Sequence, residues 1–453
     1  MKLVRPRGGT AVAQAVVATC LVALGASPIQ AATRPEFPLR VGPTGRYLVD
    51  SKGVPFLIHG DTPWSLTHNL TYEEAVRYMK TRRDQGFNTL MVSVPDAYDA
   101  EGNKAYSPDR SGQQPFVDDD LTQPNEAYWA HADRVFKAAE RLSLLLLVTP
   151  AYLGADHDGY VDVLKKNGPV RCRAYGLWLG SRYRGLKNLL WVHGGDRNPY
   201  DVRDEVRALA QGIREVDDQH LHTAHWANGT AAFDYFGDEG WLDLNSSYTY
   251  GPVAWRILAD RDRVPPRPTF LIETHYEDDF GGKTADDVRA YPYRAVLAGA
   301  AGHLFGNRPL WFCGTGWEKA LGSPGAGYMA HALALFRSRP WYELEPDRTH
   351  QFVVEGHWES GSDEGVQAAV TRRHDTLIAY LPRGRRTVLV DLERFSHGPL
   401  QGHWFNPRTG EATPIGSFGR SGTQAFTQPA DGDWVLVLDE EARHYGPPGQ
   451  SGR

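Results

Sequence analysis

A chain of 453 residues exceeds one ordinary domain and can hold a large barrel together with a smaller module. With 41% hydrophobic and 23% charged residues it belongs with soluble globular proteins, not with disordered or membrane-embedded ones. A net charge of −6 offers no electrostatic attraction to nucleic acid or an anionic bilayer, and three cysteines exclude a disulfide-built scaffold.

The N-terminus carries Lys2, Arg5 and Arg7, then an apolar run over 11–24, then small residues around Ala31 and Ala32. This basic, apolar, cleavable order predicts a secretory signal over 1–32, an extracellular destination and no stable membrane insertion, since the apolar run is too short for a spanning anchor. Of the cysteines outside this segment, Cys172 lies in an Arg-rich helical stretch and Cys313 in an aromatic loop, and no bridge between them is expected.

From about residue 54 to 307, short apolar runs alternate with amphipathic stretches about eight times. The runs 55–60, 88–94, 144–149, 188–192, 222–226, 242–246, 269–272 and 302–305 are mostly continuous rather than alternating, as strands covered on both faces are. Helices are predicted over 72–85, 126–143, 202–216 and 286–300, with Thr71 and Thr284 as start signals and Gly86 as a stop. The cycle predicts an α/β fold, a (β/α)8 TIM barrel over 33–345. A doubly wound open sheet uses the same alternation, but it calls for a glycine-rich phosphate loop after the first strand. Here that turn reads Gly60-Asp61-Thr62-Pro63-Trp64. A last helix over 327–338 packs back onto the barrel, and 340–346 reads as a linker. Beyond it, closely spaced runs rich in Val, Thr and aromatics predict a smaller antiparallel β-sandwich over 346–443. The Gly/Pro-rich stretch 444–453 is expected to be a disordered tail.

Barrel enzymes keep their chemistry at the carboxyl ends of the strands. Asp196 closes the fourth apolar run and Glu273 the seventh, which places them across the barrel mouth from one another. Two facing carboxylates can divide the work of glycosidic cleavage, one protonating the leaving oxygen and the other attacking the anomeric carbon or activating water. Rim salt bridges are the structural alternative for either. The other strand ends supply polar and aromatic candidates for holding substrate: Asp61, Trp64, Asp96, Tyr152, Asn198, His225, Trp226, Tyr248, His275 and Trp311, with Tyr250 and Asn307 beside them. Asp61 has an equal alternative as a cap of the turn that follows it. Alternation of His220, His222 and His225 raises a zinc hypothesis, but metal-dependent barrel hydrolases usually carry such a pair on the first strand, so no metal and no other cofactor is expected.

In these residues the chain resembles the apiosidase-like glycoside hydrolases, of the glycoside hydrolase family 140 type. The segments that carry the resemblance are Gly60-Asp61-Thr62-Pro63-Trp64-Ser65-Leu66, Gly86-Phe87-Asn88-Thr89, Leu190 through Pro199, Glu273-Thr274-His275-Tyr276-Glu277 and 293–306, in order along nearly the whole barrel. The region behind the barrel resembles a small β-domain that carries a collagen-binding label in that family. The resemblance implies a retaining hydrolase with Asp196 as acid/base and Glu273 as nucleophile, and the candidate substrates are pentosyl linkages, apiosyl- or arabinofuranosyl-like, in an oligosaccharide or polysaccharide. One segment departs from it: Asn245-Ser246-Ser247-Tyr248-Thr249-Tyr250-Gly251 stands where a Gln-Ser-Gly-His type of sequence is expected. Two other classes compete, a non-catalytic carbohydrate-binding barrel and a metal-dependent barrel hydrolase. The sequence carries no signature of an oligomeric state.

Overall fold

A computed structural model gives the protein's structure for residues 34–95, 98–100, 102, 108–155, 159–357 and 362–450. The expected signal segment and Asp96 lie outside these described residues.

Eight parallel strands make one sheet: β1 (Ile58–Asp61), β2 (Thr89–Ser93), β3 (Leu145–Thr149), β4 (Leu189–Gly194), β5 (His222–His225), β6 (Asn245–Tyr248), β7 (Thr269–Glu273) and β8 (Gly302–Phe305). Pairing runs in chain order from β1 to β5 and from β6 to β8, and β8 returns to β1. Between β5 and β6 the ring closes without a regular ladder. The N–H groups of Asp243 and Leu244 donate to the His222 carbonyl at 2.9 and 3.1 Å, and Thr223 Oγ1 donates to the Leu244 carbonyl at 3.0 Å. Every residue of the eight strands is buried, which is why β2, β3 and β7 read as nearly continuous apolar runs, whereas β5 (His-Thr-Ala-His) and β6 (Asn-Ser-Ser-Tyr) bury polar side chains.

The helices that face these strands are α1 (Tyr72–Asp84), α2 (Glu126–Arg141), α3 (Val161–Tyr183), α4 (Arg203–Val216), α5 (Val253–Arg261), α6 (Tyr291–Leu297) and α7 (Pro324–Arg337). Thr71 and Glu74 form the capping box that starts α1, and Ser323 caps α7 with Pro324 in its first turn. The helix expected over 286–300 is divided into Ala285–Val288 and α6, because Pro292 has no N–H to give and is tolerated only in a first turn. Gly168, at φ 64, and Pro169 interrupt α3 and blur its periodicity in sequence. The first expected strand is also divided. Pro55–Phe56 belongs to a small antiparallel sheet with Arg40–Val41 and Leu48–Val49, and only the residues from Ile58 enter the barrel.

Behind the barrel, β9 (Leu344–Pro346), β10 (Val353–Glu355), β11 (Gln367–Thr371), β12 (Thr376–Leu381), β13 (Thr387–Asp391), β14 (Leu400–Phe405), β15 (Ala412–Phe418), β16 (Thr423–Thr427) and β17 (Trp434–Glu440) form two antiparallel sheets, β9-β11-β12-β17-β14-β15 and β10-β13-β16. The end of the expected linker is thus an edge strand, β9. Leu377, Ala379, Leu436 and Leu438 meet Val388, Val390 and Phe426 between the sheets. On its other face the larger sheet sets Ile378, Tyr380, Val435 and Val437 against Tyr293, Val296 and Leu297 of α6 and Leu333 and Phe336 of α7. Being covered on both sides, β12 and β17 are buried throughout.

Two buried ion pairs fix this contact. Arg289 forks onto Asp433 at 2.9 and 2.8 Å with Tyr380 Oη donating to the same carboxylate at 3.1 Å, and Arg339 meets Asp439 at 2.7 Å. Barrel and sandwich form one compact unit. The stretch after His444 is not the free tail its composition suggests. The Tyr445 ring lies 5.1 Å from the Arg339 guanidinium, the Gly446 carbonyl accepts from Arg339 at 2.9 Å, and the Gly449 N–H donates to Ser338 Oγ at 3.0 Å. Cys172 and Cys313 are buried and not joined in a disulfide, and among the described residues no helix is long and apolar enough to cross a membrane.

Candidate active site

At the end of β4 three consecutive residues take positive φ: Gly194 at 97, Gly195 at 125 and Asp196 at 51 degrees. Space demands the two glycines as much as conformation does. A Cβ on Gly194 would lie 2.3 Å from the His225 carbonyl oxygen, and one on Gly195 would lie 2.3 Å from the Tyr152 ring. The tight path presses this backbone onto β5. Gly195 N–H donates to the His225 carbonyl at 2.6 Å, and Asp196 N–H donates to His225 Nδ1 at 2.9 Å. The other ring nitrogen, Nε2, lies 2.9 Å from Glu273 Oε2 at the end of β7. A bulge between Leu271 and Glu273 shifts the register there and sets Glu273 opposite Tyr248 of β6, a common device for re-aiming a side chain beside a site. One oxygen from each carboxylate and a nitrogen of His225 fall within 4.8 Å of one another.

The two acids have different surroundings. Glu273 is 6% exposed, and burial first, then the charge of Asp196, pushes its carboxyl up to about 7, against hydrogen bonds from His225 and Tyr276 that favour the anion. Asp196 is 20% exposed. Its Oδ2 accepts from Tyr152 Oη at 2.7 Å, and its Oδ1 is buried without a partner. Around them lies a cavity of ≈ 170 Å³, walled by aromatic rings. Trp64, Tyr98 and Tyr152, all buried, and the half-buried Trp311 make a connected wall. Trp64 meets Tyr152 edge-on at 5.5 Å, Tyr98 Oη lies 3.3 Å from Tyr152 Oη, and Tyr98 stands perpendicular to Trp311 at 5.1 Å. Trp64 Nε1 donates to Tyr276 Oη at 3.2 Å. Across the cavity Tyr250 and Phe280 form the rim, with Tyr250 stacked on His275 at 4.3 Å and Phe280 73% exposed.

Of the residues singled out in the sequence, Asp196, Glu273, Trp64, Tyr152, Tyr250 and Trp311 line this cavity. Tyr248 stacks on His225 at 4.9 Å and donates to Tyr250 Oη at 2.8 Å, and His275 backs Tyr250. Four others are placed elsewhere. Asp61 faces α1 and receives Arg82 Nε at 2.5 Å and the Tyr78 hydroxyl, both fully buried. It is therefore neither a sugar ligand nor a turn cap but half of an ion pair that pins α1 to β1, and Arg82 extends this to the Leu321 carbonyl at 3.1 Å. Trp226 points away from the mouth, donates Nε1–H to the Ala232 carbonyl at 2.9 Å and packs on Phe236. Asn198 braces two loops by accepting the Ala227 N–H at 3.1 Å. His225 is fully buried and joins the two acids rather than touching the cavity. Sequence reasoning missed Tyr98, Tyr276, Asp279 and Phe280. All four sit in loops, where no periodicity marks an inward side chain.

The alternating histidines do not converge. His220 bonds Asp217 at 2.6 Å and the Leu186 carbonyl at 2.7 Å, and His222 pairs with His193 at 3.0 Å, which leaves His225 alone at the mouth. Asp196, His225 and Glu273 are close enough to enclose a cation, but both ring nitrogens of His225 already have partners. We therefore expect turnover to be unchanged after dialysis against EDTA. Activity lost on chelation and restored by zinc is the opposing result.

A parallel eight-stranded barrel with an aromatic, two-acid mouth is the frame of a barrel glycoside hydrolase, and that is the class of this protein. Residues 43–343 match the family model described as "Apiosidase-like, catalytic domain", and the chain belongs to that family. A second family model, named for a collagen-binding domain of a collagenase, matches 351–439. Among solved structures, a glycoside hydrolase family 5 protein from Bacteroides vulgatus is similar at TM-score 0.80 and 25% identity, covering 91% of this chain and 96% of its own. Another, named only as a glycoside hydrolase, matches at TM-score 0.77 and 24% identity over 89% of this chain and 97% of its own. No curated protein matches the chain in sequence.

Proposed function

We propose that this is a secreted retaining glycosidase that releases a pentosyl unit, apiosyl- or arabinofuranosyl-like, from a complex oligosaccharide or polysaccharide. Glu273 attacks the anomeric carbon while Asp196 gives its proton to the leaving oxygen. Water then attacks the same carbon, Asp196 takes up its proton, and Glu273 leaves as the carboxylate. The observation that carries this reading is the closeness of the two acids. Their nearest oxygens are within 4.8 Å. That supports the spacing of about 5–5.5 Å used for direct attack over the about 6.5–9.5 Å of an inverting site.

The division of roles rests on donors and depth. His225 and Tyr276 both donate to Glu273, which favours its charge, whereas Asp196 accepts from Tyr152 alone. Asp196 is also the more exposed acid, at 20% against 6% for Glu273. The small cavity supports one sugar ring in the buried aromatic wall, where faces stack on Trp64 and Trp311 and hydroxyls meet polar atoms that lack protein partners, such as Trp311 Nε1 and Asp196 Oδ1. Export rests on the pattern of residues 1–32.

The test is hydrolysis of a panel of 4-nitrophenyl pentosides and hexosides and of plant-wall polysaccharides, with the first-formed anomer read by proton NMR. We expect turnover of a pentoside with the anomeric configuration kept. An inverted first product removes the covalent mechanism, and a preference for hexosides removes the pentosyl assignment.

A further inference from the structure

His225 contributes no wall to the cavity, yet it makes three of the contacts that define the site. Its carbonyl takes the Gly195 N–H, its Nδ1 takes the Asp196 N–H, and its Nε2 meets Glu273. Because a backbone N–H can only donate, Nδ1 must carry a lone pair, and the ring proton then lies on Nε2 and points at the Glu273 carboxylate. The ring has no freedom to turn. It is fully buried, with Tyr248 stacked on one side at 4.9 Å and the Trp64 edge at 5.5 Å.

We infer that His225 is a positioning residue that couples the two acids through one neutral imidazole, locking the Asp196 backbone with Nδ1 and holding Glu273 oriented and ionised with Nε2–H. The inference rests on the roles proposed above for Asp196 and Glu273. Its logic is electrostatic. A nucleophile in a dry pocket beside a second acid is driven toward its uncharged form, and a fixed donor opposes that at no reorganisation cost. The same donor serves the second step, in which the carboxylate is the leaving group and regains its charge as the bond to the sugar breaks. Burial lowers the affinity of the ring for a second proton, but the hydrogen bond to Glu273 and the charges of Asp196 and Glu273 outweigh it and leave that affinity raised, so geometry must decide. A proton on Nδ1 would meet the Asp196 N–H head-on at 2.9 Å, so the doubly protonated ring is incompatible with this backbone. The titratable groups facing Glu273 are Asp196 after β4, His225 on β5, Tyr248 and Tyr250 at and after β6, and Tyr276 on its own loop, with Tyr152 and Asp279 farther along the cavity. Of these, the imidazole is the donor whose tautomer the backbone dictates.

Two measurements on the full chain test this. The first is the kcat/KM–pH profile. His225→Phe keeps a buried ring but removes both bonds, and a fall of about 100-fold is expected, with the acidic limb moved up by about one pH unit. His225→Gln retains an acceptor and a donor on one planar group and is expected to recover at least about tenfold and return the limb toward its original position. Equal losses in both variants with an unmoved limb would mean that His225 only fills space. The second measurement needs no turnover. Two-bond nitrogen–proton NMR of the imidazole should show Nδ1 unprotonated and Nε2 protonated from pH 5.5 to 8. A ring protonated on Nδ1, or one that becomes a cation in that range, overturns the coupling. If the tautomer is as stated but no glycoside is cleaved, the fault lies with the proposed activity and not with the positioning of Glu273.

Discussion

Glu273→Gln is expected to lower kcat/KM on any accepted glycoside by about five orders of magnitude, about 7 kcal/mol of transition-state stabilisation. The amide cannot form the covalent bond to the anomeric carbon, and the change is nearly isosteric, so the fold should survive it. Asp196→Ala should behave differently. It removes the proton donor, and the loss should be large for a sugar leaving group and much smaller for a dinitrophenolate, which departs without protonation. Small anions separate the two roles further. Azide entering the space vacated in a Glu273→Ala variant attacks the opposite face and gives a glycosyl azide of inverted configuration. In Asp196→Ala, azide intercepts the covalent intermediate and the configuration is retained. Identical behaviour of the two variants, or near-wild-type turnover by Glu273→Gln, contradicts the assignment. The distinction has a structural origin in the positions of the acids: Glu273 lies under donors at the end of β7, and Asp196 stands above it on a glycine turn nearer to solvent.

The barrel could be read because its strands are covered on both faces, so that burial appears in the sequence as uninterrupted apolar runs. Strand ends could be read for the same reason: a carboxylate that closes such a run, as Asp196 and Glu273 do, stands out. What a strand does not reveal is the neighbour its polar residue meets. Asp61 ends β1 just as Glu273 ends β7, but its partner is Arg82, on a helix, and the pair is settled by how α1 packs. His225 and Trp226 are adjacent, so one turns inward and the other toward the helices, and a residue of register decides which. Tyr98, Asp279 and Phe280 reach the cavity from loops, whose paths depend on tertiary contacts with no local periodicity to announce them. The C-terminal stretch misleads by composition: Gly446-Pro447-Pro448-Gly449 has the residues of a flexible tail, and two side chains at the end of α7 hold it in place.

Behind the barrel strands lies a second property with a large expected consequence. His59, His193, His222 and His303 are almost wholly buried between sheet and helices, with no carboxylate to receive them. Burial pushes His193 and His303 down to about 3 and lowers His59 and His222 well below the usual range. Arg214 near His193 and His222, Arg337 near His59, and the mutual contacts of the histidines act in the same direction. In the unfolded chain each returns to about 6.5. Below that pH the unfolded state therefore binds protons that the native state refuses, and stability falls as pH falls, from about 6.5 down toward the depressed native values. Four such groups set a limiting slope of about 5 kcal/mol per pH unit, at 1.36 kcal/mol per proton. Glu273, Glu277 and Asp363, all raised by burial first, work against it by taking up protons in the native state, so the net slope lies well below that limit. Set against a typical total of about 5–15 kcal/mol, this predicts a progressive weakening of the native state between pH 6 and pH 4.5. Thermal melts across that range should show Tm falling by several degrees, and His303→Gln, which cannot charge, should flatten the slope by about one proton. A Tm that is level down to pH 4.5 would show that these histidines find protons, or relief, in the folded state after all. The expected window also bears on activity: a nucleophile that ionises near neutrality and a barrel that weakens below pH 6 set the same acidic limit, and both favour neutral and alkaline surroundings.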